Sequence, residues 1–320
     1  MTPIEILKRG ADCLAHGHPI ALATVIKTWG SAPQPAGAQM LIISEDDFAG
    51  SVSGGCVESE VILAGLAAIE DGQCRVLNFG VDDETAFAAG LACGGEIGVL
   101  VEPVGCGAGL TEDELNAQIA AMETRQPLVL ITDLTTCERR IERPDEALAQ
   151  SGMHGDEFHL LRQPALRLVI IGAVHIAQPL SRMARDLGME VKLIDPRPAF
   201  ASRARFPDID CEVGWPGDTL AAYGLDRLSA VVTLTHNADF DDEAIIEALK
   251  SEAFYIGCLG SKRTAAKRNA RLRERGIGDA QIERLHGPVG LDIGAASPAE
   301  IAVSICAQLI ATHRLGGGRQ

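Results

Sequence analysis

Three absences narrow this 320-residue chain before any motif is read. It has no stretch of about 18 uninterrupted apolar residues, so no membrane-spanning helix is expected. Positive charge is scarce: 28 lysines and arginines stand against 44 aspartates and glutamates, a formal charge of −16. Phosphate backbones need a basic surface, so a nucleic-acid partner is not expected. No two cysteines have Cys-x-x-Cys spacing, which argues against a zinc ribbon or a thioredoxin-type motif. The opening "MTPIEILKRGADCLAHGHPIALATVIK" also lacks a positive segment followed by an apolar core. No secretory signal is expected, and the expected location is the cytoplasm.

What remains is an ordinary globular composition, 47% hydrophobic and 22% charged. The length suggests two domains, each able to bury a core. The acidity serves solubility and identifies no ligand. The nine cysteines are Cys13, Cys56, Cys74, Cys93, Cys106, Cys137, Cys211, Cys258 and Cys306. An odd count without a leader points to reduced thiols, most of them small buried residues.

In "TPIEILKRGADCLAHG", Thr2 as N-cap, Pro3 and Glu5 mark a helix start. Strands are expected at "IALATVIK", "QMLIIS", "CRVLNFG" and "EIGVLVEPV", with a helix at "VESEVILAGLAAIEDG". This first domain is placed at residues 1–105. Residues 106–164 read as a connecting region, with a helix capped by Thr111 and Glu114, a strand "PLVLITDL", and a polar stretch from about 135 that gives no clear pattern. From 165 to 320 strands and helices alternate, which predicts a parallel sheet covered on both faces. The last helix starts with Ser297, Pro298 and Glu300.

"GAVHIA" follows the strand "LRLVII" and opens a helix. Gly172 and Ala177 fit the first and third positions of a dinucleotide-binding turn, and Asp195 ends the next strand about 20 residues on. Val174 stands where a bare residue must let pyrophosphate approach, so a Rossmann scaffold without tight NAD binding is expected. His175 either meets a ligand in the crevice or caps the helix. His236 in "THNADFD" lies at another strand end. Asp239, Asp241 and Asp242 follow it, with helix capping preferred over metal binding. "GCLGSKRT" sets Gly257, Gly260, Ser261, Lys262 and Arg263 at a helix start, a pattern suited to an anion. "GPVGLDIG" is expected to close over the crevice or an interface.

The first domain carries "SVSGGCVESE" and "ACGGEI". Gly54 and Gly55 leave Cys56 approachable, and the helix starting near Val57 favours its thiolate. Glu58 is placed to accept a proton or hold a ligand N–H. Cys93 has the same surroundings in Gly94, Gly95 and Glu96. For both cysteines the alternative is a tight turn with a buried thiol. Soft thiolates select soft or redox-active partners. A molybdenum–dithiolene pterin, with sulfur at one end and phosphate at the other, fits both halves.

Together "TWGSAPQPAGAQMLI", "GSVSGGCVE", "ACGGEIGVLVEP", "GAVHIAQPL" with "LIDPRPAFA", "THNADFDDEAIIEAL", "YIGCLGSKRT" and "GPVGLDIGAASPAEIAVSI" resemble, in order, the XdhC/CoxI family. The similarity spans nearly the whole chain and is weakest from about 106 to 164. It implies an α/β fold, with an N-terminal XdhC/CoxI-type domain and a C-terminal Rossmann-like doubly wound parallel sheet. It also implies an accessory factor, not an enzyme. Such a factor binds the molybdenum cofactor, as molybdopterin or its cytidine dinucleotide form. It protects the cofactor, supports exchange of an oxo for a sulfido ligand with a cysteine desulfurase, and delivers it to a xanthine dehydrogenase-type hydroxylase. A homodimer is a further candidate assembly. By this resemblance Cys56 is the candidate contact for the metal or its sulfur. Val174 and Gln34 depart from the family pattern, which usually has glycine and often arginine there. The competing expectation is an NAD(P)-dependent oxidoreductase built on the Rossmann-like domain.

Overall fold

Contacts divide the chain into two units, Met1–Pro164 and Ala165–Gln320. The computed structural model describes residues 1–29, 34–55, 57–80, 96–145, 148 and 150–316.

The first unit is built on a five-stranded antiparallel sheet of order β3-β2-β1-β5-β4. Its strands are β1 (Ile20–Trp29), β2 (Gln39–Ile42), β3 (Phe48–Gly50), β4 (Arg75–Gly80) and β5 (Glu96–Val104). The centre of β1, from Ile20 to Ile26, is continuously buried and apolar except for Thr24, because both of its faces are covered. Ile20, Leu22 and Ile26 pack in one core with Ile6 and Leu7 of α1 (Pro3–Ala15). Ala21, Ala23 and Val25 pack in a second core with Val61, Ile62 and Ala68 of α2 (Glu58–Asp71).

Residues 106–164, expected as a connecting region, belong by contacts to this unit. They form α3 (Glu112–Glu123) and an antiparallel sheet of order β7-β6-β9-β8. Those strands are β6 (Leu128–Asp133), β7 (Arg139–Glu142), β8 (Gly152–His154) and β9 (Glu157–Arg162). Leu128, Leu130, Phe158 and Leu160 join the same core as α1. Two capping boxes fix the helix starts. Glu5 accepts from Thr2 N at 2.7 Å, and Glu114 accepts from Thr111 N at 2.8 Å.

The second unit holds a six-stranded parallel sheet of order β12-β11-β10-β13-β14-β15. Its strands are β10 (Arg167–Ile171), β11 (Glu190–Ile194), β12 (Asp210–Glu212), β13 (Ser229–Thr233), β14 (Tyr255–Cys258) and β15 (Leu285–His286). Numbered from β10, this is the 3-2-1-4-5-6 order of a Rossmann sheet. Its helices are α4 (Ala177–Asp186), α5 (Pro216–Tyr223), α6 (Ala238–Lys250), α7 (Lys262–Glu274), the short α8 (Asp279–Ile282) and α9 (Pro298–Leu315).

Leu168 and Ile170 of β10 pack with α4 and α9 on one face. Val169 and Ile171 pack with α6 and Leu272 of α7 on the other. The order of strand addition therefore reverses between β10 and β13, the switch point at which parallel sheets form a crevice beyond their carboxyl ends. No helix among the described residues is long and apolar enough to cross a membrane.

Candidate functional site

In the first unit, Glu58 organises the glycine loop. Its Oε1 accepts from Ser51 Oγ at 2.7 Å, Ser53 N at 2.9 Å and Gly54 N at 3.0 Å. Its Oε2 accepts from Ser53 Oγ at 2.5 Å, Gly55 N at 2.9 Å and Val57 N at 3.2 Å. Burial pushes the carboxyl pKa up, but the bonds from Ser53, Ser51 and the backbone outweigh it and bring it down to about 2. The expectation that Glu58 accepts a proton is therefore corrected. It stays ionised and spends its lone pairs folding the loop.

Gly54 and Gly55 are exposed, and Gly55 has φ +123° with no atom of the described residues within 4 Å of where a Cβ would stand. The glycine there serves a backbone conformation that L side chains rarely adopt. Cys56, Cys93, Gly94 and Gly95 lie outside the described residues. Glu96 opens β5 and pairs with Lys27 at 3.4 Å.

The remaining thiols divide by environment. Burial pushes Cys258 and Cys306 up to about 11. It pushes Cys74 up to about 12, against the opposing pull of the Arg139 guanidinium. Such thiols are inert at neutral pH. Cys106 is exposed.

In the second unit the crevice residues come from adjoining strand ends. Gly172 ends β10 with φ +104°, and a Cβ there would stand 2.6 Å from Thr235 Cγ2. This glycine is needed because the ends of β10 and β13 meet so closely. Val174 is half-buried, and His175 is exposed in the turn before α4. His236 is exposed in the turn before α6, with φ +59°. The two histidines thus follow neighbouring strands.

Asp195 is fully buried and turns inward. It accepts from Ala173 N at 2.8 Å, from Arg197 N at 2.9 Å, and from Arg197 Nε and Nη2 at 2.8 and 2.7 Å. Burial raises its pKa, but Arg197 and the two backbone N–H groups more than offset this. Asp195 stands where a dinucleotide-binding turn has its acid, but its carboxylate is engaged by the turn it supports.

Sequence reading missed Arg197 and Arg205. Arg205 donates to Ala173 O at 2.7 Å, and both guanidinium groups lie over the Phe200 ring. The sole sequence signal was the clustering of arginines just after Asp195.

The acids after His236 are also engaged. Asn237, not an aspartate, caps α6 by accepting from Asp239 N at 2.9 Å. Asp241 accepts from Thr235 Oγ1 at 2.7 Å, and Asp242 holds Arg271 through two bonds at 2.7 and 2.9 Å. Among the described residues no group of three or more His, Cys, Asp or Glu is placed to hold a metal ion.

At α7, Ser261 accepts from Thr264 N at 3.2 Å. Gly257 is buried in β14 and Gly260 precedes the cap. Lys262 and Arg263 are exposed in a first turn that contains no acid. Two cations at the positive pole of a helix disfavour one another, so the arrangement favours an anion. Beneath it Arg268 is 4% exposed, and its Nε has no hydrogen-bond partner among the described residues. The "GPVG" loop is fixed in place: Val289 N donates to Cys258 O at 3.1 Å, and Gly290 N donates to Gln308 Oε1 at 2.8 Å.

Comparison with known proteins agrees with this architecture. Residues 168–309 match the family described as the XdhC Rossmann domain, and residues 13–80 match the XdhC and CoxI family. The chain is 27% identical over 310 residues to a protein of Escherichia coli strain K12 named molybdenum cofactor insertion chaperone PaoD, covering 97% of this chain and 88% of that one. It is 29% identical over 320 residues to a protein of Bacillus subtilis strain 168 named as a probable xanthine dehydrogenase subunit, covering 92% and 93%. A crystal structure described as a xanthine dehydrogenase from Bacillus halodurans superposes with a TM-score of 0.80 at 28% identity, covering 98% and 96%. The two family matches, in this order along one chain, together with the shared fold, establish that this protein belongs to the XdhC and CoxI family.

Proposed function

We propose that this protein is a maturation factor that carries the molybdenum cofactor as cargo and delivers it to a xanthine dehydrogenase-type enzyme. The observation that carries the reading is the similarity, over 97% of the chain, to a relative named as a cofactor insertion chaperone. The geometry is compatible with that role. Glu58 holds a bare loop in one conformation, and the second unit offers a helix pole suited to a phosphate.

In this reading Cys56 meets the sulfur or metal end of the cargo, with Cys93 as a second contact. His175, His236, Lys262 and Arg263 are the second unit's candidate contacts to the cargo. Sulfuration with a cysteine desulfurase, a homodimeric carrier and a cytoplasmic setting complete the proposal. The cargo is molybdopterin or its cytidine dinucleotide form.

An NAD(P)-dependent oxidoreductase is the reading that the strand order alone would favour. Val174 in the turn and the engagement of Asp195 by Arg197 speak against it.

The test is cofactor content, read as oxidised-pterin fluorescence, in protein purified from cofactor-producing cells. Cys56→Ala should lower it sharply while leaving solubility unchanged, and Cys93→Ala should lower it less. Cys74→Ala and Cys306→Ala should leave it alone. Equal loading of the Cys56 variant, or NAD bound at low micromolar concentration in calorimetry, would overturn the proposal.

A further inference from the structure

The first unit contains a cavity of about 690 Å³. Gln34, Gln39, Ser51, Ser151, Arg162 and Gln163 supply polar groups to its wall, and among the described residues no Asp, Glu, Lys or His lines it. In a chain with 44 acids, a cavity whose described lining holds the Arg162 guanidinium and the Met1 amino group but no carboxylate needs an explanation.

Arg162 is 4% exposed. Its Nε donates to Gln118 Oε1 at 2.8 Å, and its Nη2 donates to Gln39 Oε1. Both acceptors are neutral. Among the described residues no ion pair includes Arg162, and its other N–H groups have no acceptor. Glu102 acts on it electrostatically, but Glu102 is already paired with Arg139, each side chain only 4% exposed. Glu102 is thus shared between two buried guanidinium groups, Glu114 adds its field at Arg139, and Arg162 has no carboxylate of its own among the described residues. Charges are rarely buried on such terms without a partner. Burial lowers the Arg162 pKa to about 10, so it remains a cation at neutral pH.

Further donors converge. Ser151 Oγ accepts from Leu161 N at 3.0 Å, which leaves its own O–H free to donate. The amides of Gln34 and Gln163 have no partner among the described residues. A guanidinium with neutral donors and no acid nearby matches an oxyanion.

We propose that this cavity is an anion subsite, in which Arg162, Ser151, Gln34 and Gln163 bind a phosphate ester, and that it receives the phosphate-bearing end of the cargo. The second clause rests on the chaperone reading; the first stands on the cavity alone.

The test uses the full chain with Lys262→Ala and Arg263→Ala as parent, so that the α7 pole cannot contribute. Inorganic phosphate is titrated and followed by phosphorus NMR, with acetate as a competing planar oxyanion. Phosphate should bind, and acetate should displace it poorly. Arg162→Met should weaken phosphate at least about tenfold, yet unfold no more easily than the parent, because an apolar side chain replaces a buried unpaired charge. Ser151→Asp should block phosphate while retaining an acceptor for Leu161 N. A parent that binds no phosphate, or two variants that bind it as the parent does, would overturn the subsite.

Cofactor loading separates the two clauses. If phosphate binds through Arg162 but Arg162→Met loads cofactor normally, the subsite does not serve the cargo and the chaperone reading stands. If phosphate binds through Arg162 in a protein that loads no cofactor at all, the chaperone reading fails and the subsite stands.

Discussion

Replacing Glu58 by Gln tests whether one carboxylate organises the loop that carries Cys56. The carboxylate accepts from the backbone N–H groups of Ser53, Gly54, Gly55 and Val57, and from the hydroxyls of Ser51 and Ser53. Glutamine keeps one acceptor and turns an NH₂ toward the remaining donors, which leaves them unsatisfied. Each factor of ten in proton affinity is worth about 1.36 kcal/mol. The drop from an ordinary 4.5 to about 2 thus bounds the carboxylate's contribution at about 3 kcal/mol. Solvent screening at this half-buried position reduces that to about 1–2 kcal/mol.

Because the folded pKa lies below the unfolded one, this stabilisation is complete above about pH 4.5 and is lost as pH falls toward 2. Hydrogen exchange is the direct assay. At neutral pH the variant should exchange the amides of Ser53, Gly54 and Gly55 about 5–30-fold faster. The unmodified loop should lose protection, corrected for intrinsic rates, as pH falls below about 4.5. Unchanged exchange in the variant, or acid-insensitive protection in the unmodified protein, would refute the argument.

Two predictions concern the second unit. Arg197→Met removes the cation paired with the fully buried Asp195. Because the Arg197 side chain is 38% exposed and two backbone N–H groups still donate to Asp195, it should lower the stability of this unit by about 1–3 kcal/mol in denaturant unfolding, and adding Asp195→Asn should restore part of the loss. An unchanged midpoint would show that the pair contributes nothing. Gly172→Ala combines φ +104° with a Cβ 2.6 Å from Thr235 Cγ2. It should lower stability by more than about 1 kcal/mol, and a neutral result would mean that the ends of β10 and β13 are less tightly apposed.

Regular structure was legible in the sequence wherever a local signal was strong. The strand, turn, amphipathic helix and strand from Arg167 to Ile194 stood out because β10 and β11 are short apolar runs around a periodic helix. The capping pairs Thr111–Glu114 and Ser297–Glu300 also gave themselves away by spacing. The sheet formed by β7, β8 and β9 did not, since β7 and β8 are three or four residues long and largely exposed. Their pairing depends on β6 and β9, which is tertiary information.

At the candidate sites, residue types were readable but assignments were not. Glu58 and Asp195 read as groups placed for a proton or a ligand, and Asp241 read as a helix cap. Each is instead taken up by donors within a few residues or on an adjoining turn. Arg162 shows the opposite case. It drew no notice in a polar stretch, and only the fold shows that it is a buried cation with neutral partners.

The unneutralised start of α7 also has a kinetic side. An anion approaching from a distance meets a molecule carrying a formal charge of −16 and is repelled. Within roughly 8 Å, one Debye length at physiological ionic strength, Lys262 and Arg263 reverse the sign of the local potential. Added salt then weakens the far repulsion before it weakens the near attraction. For such a ligand, moderate ionic strength would speed capture, the reverse of the behaviour of a basic phosphate-binding protein. Approach toward this helix start would be favoured over approach toward the acidic parts of the surface, so the charge distribution would bias the angle at which an anion reaches it.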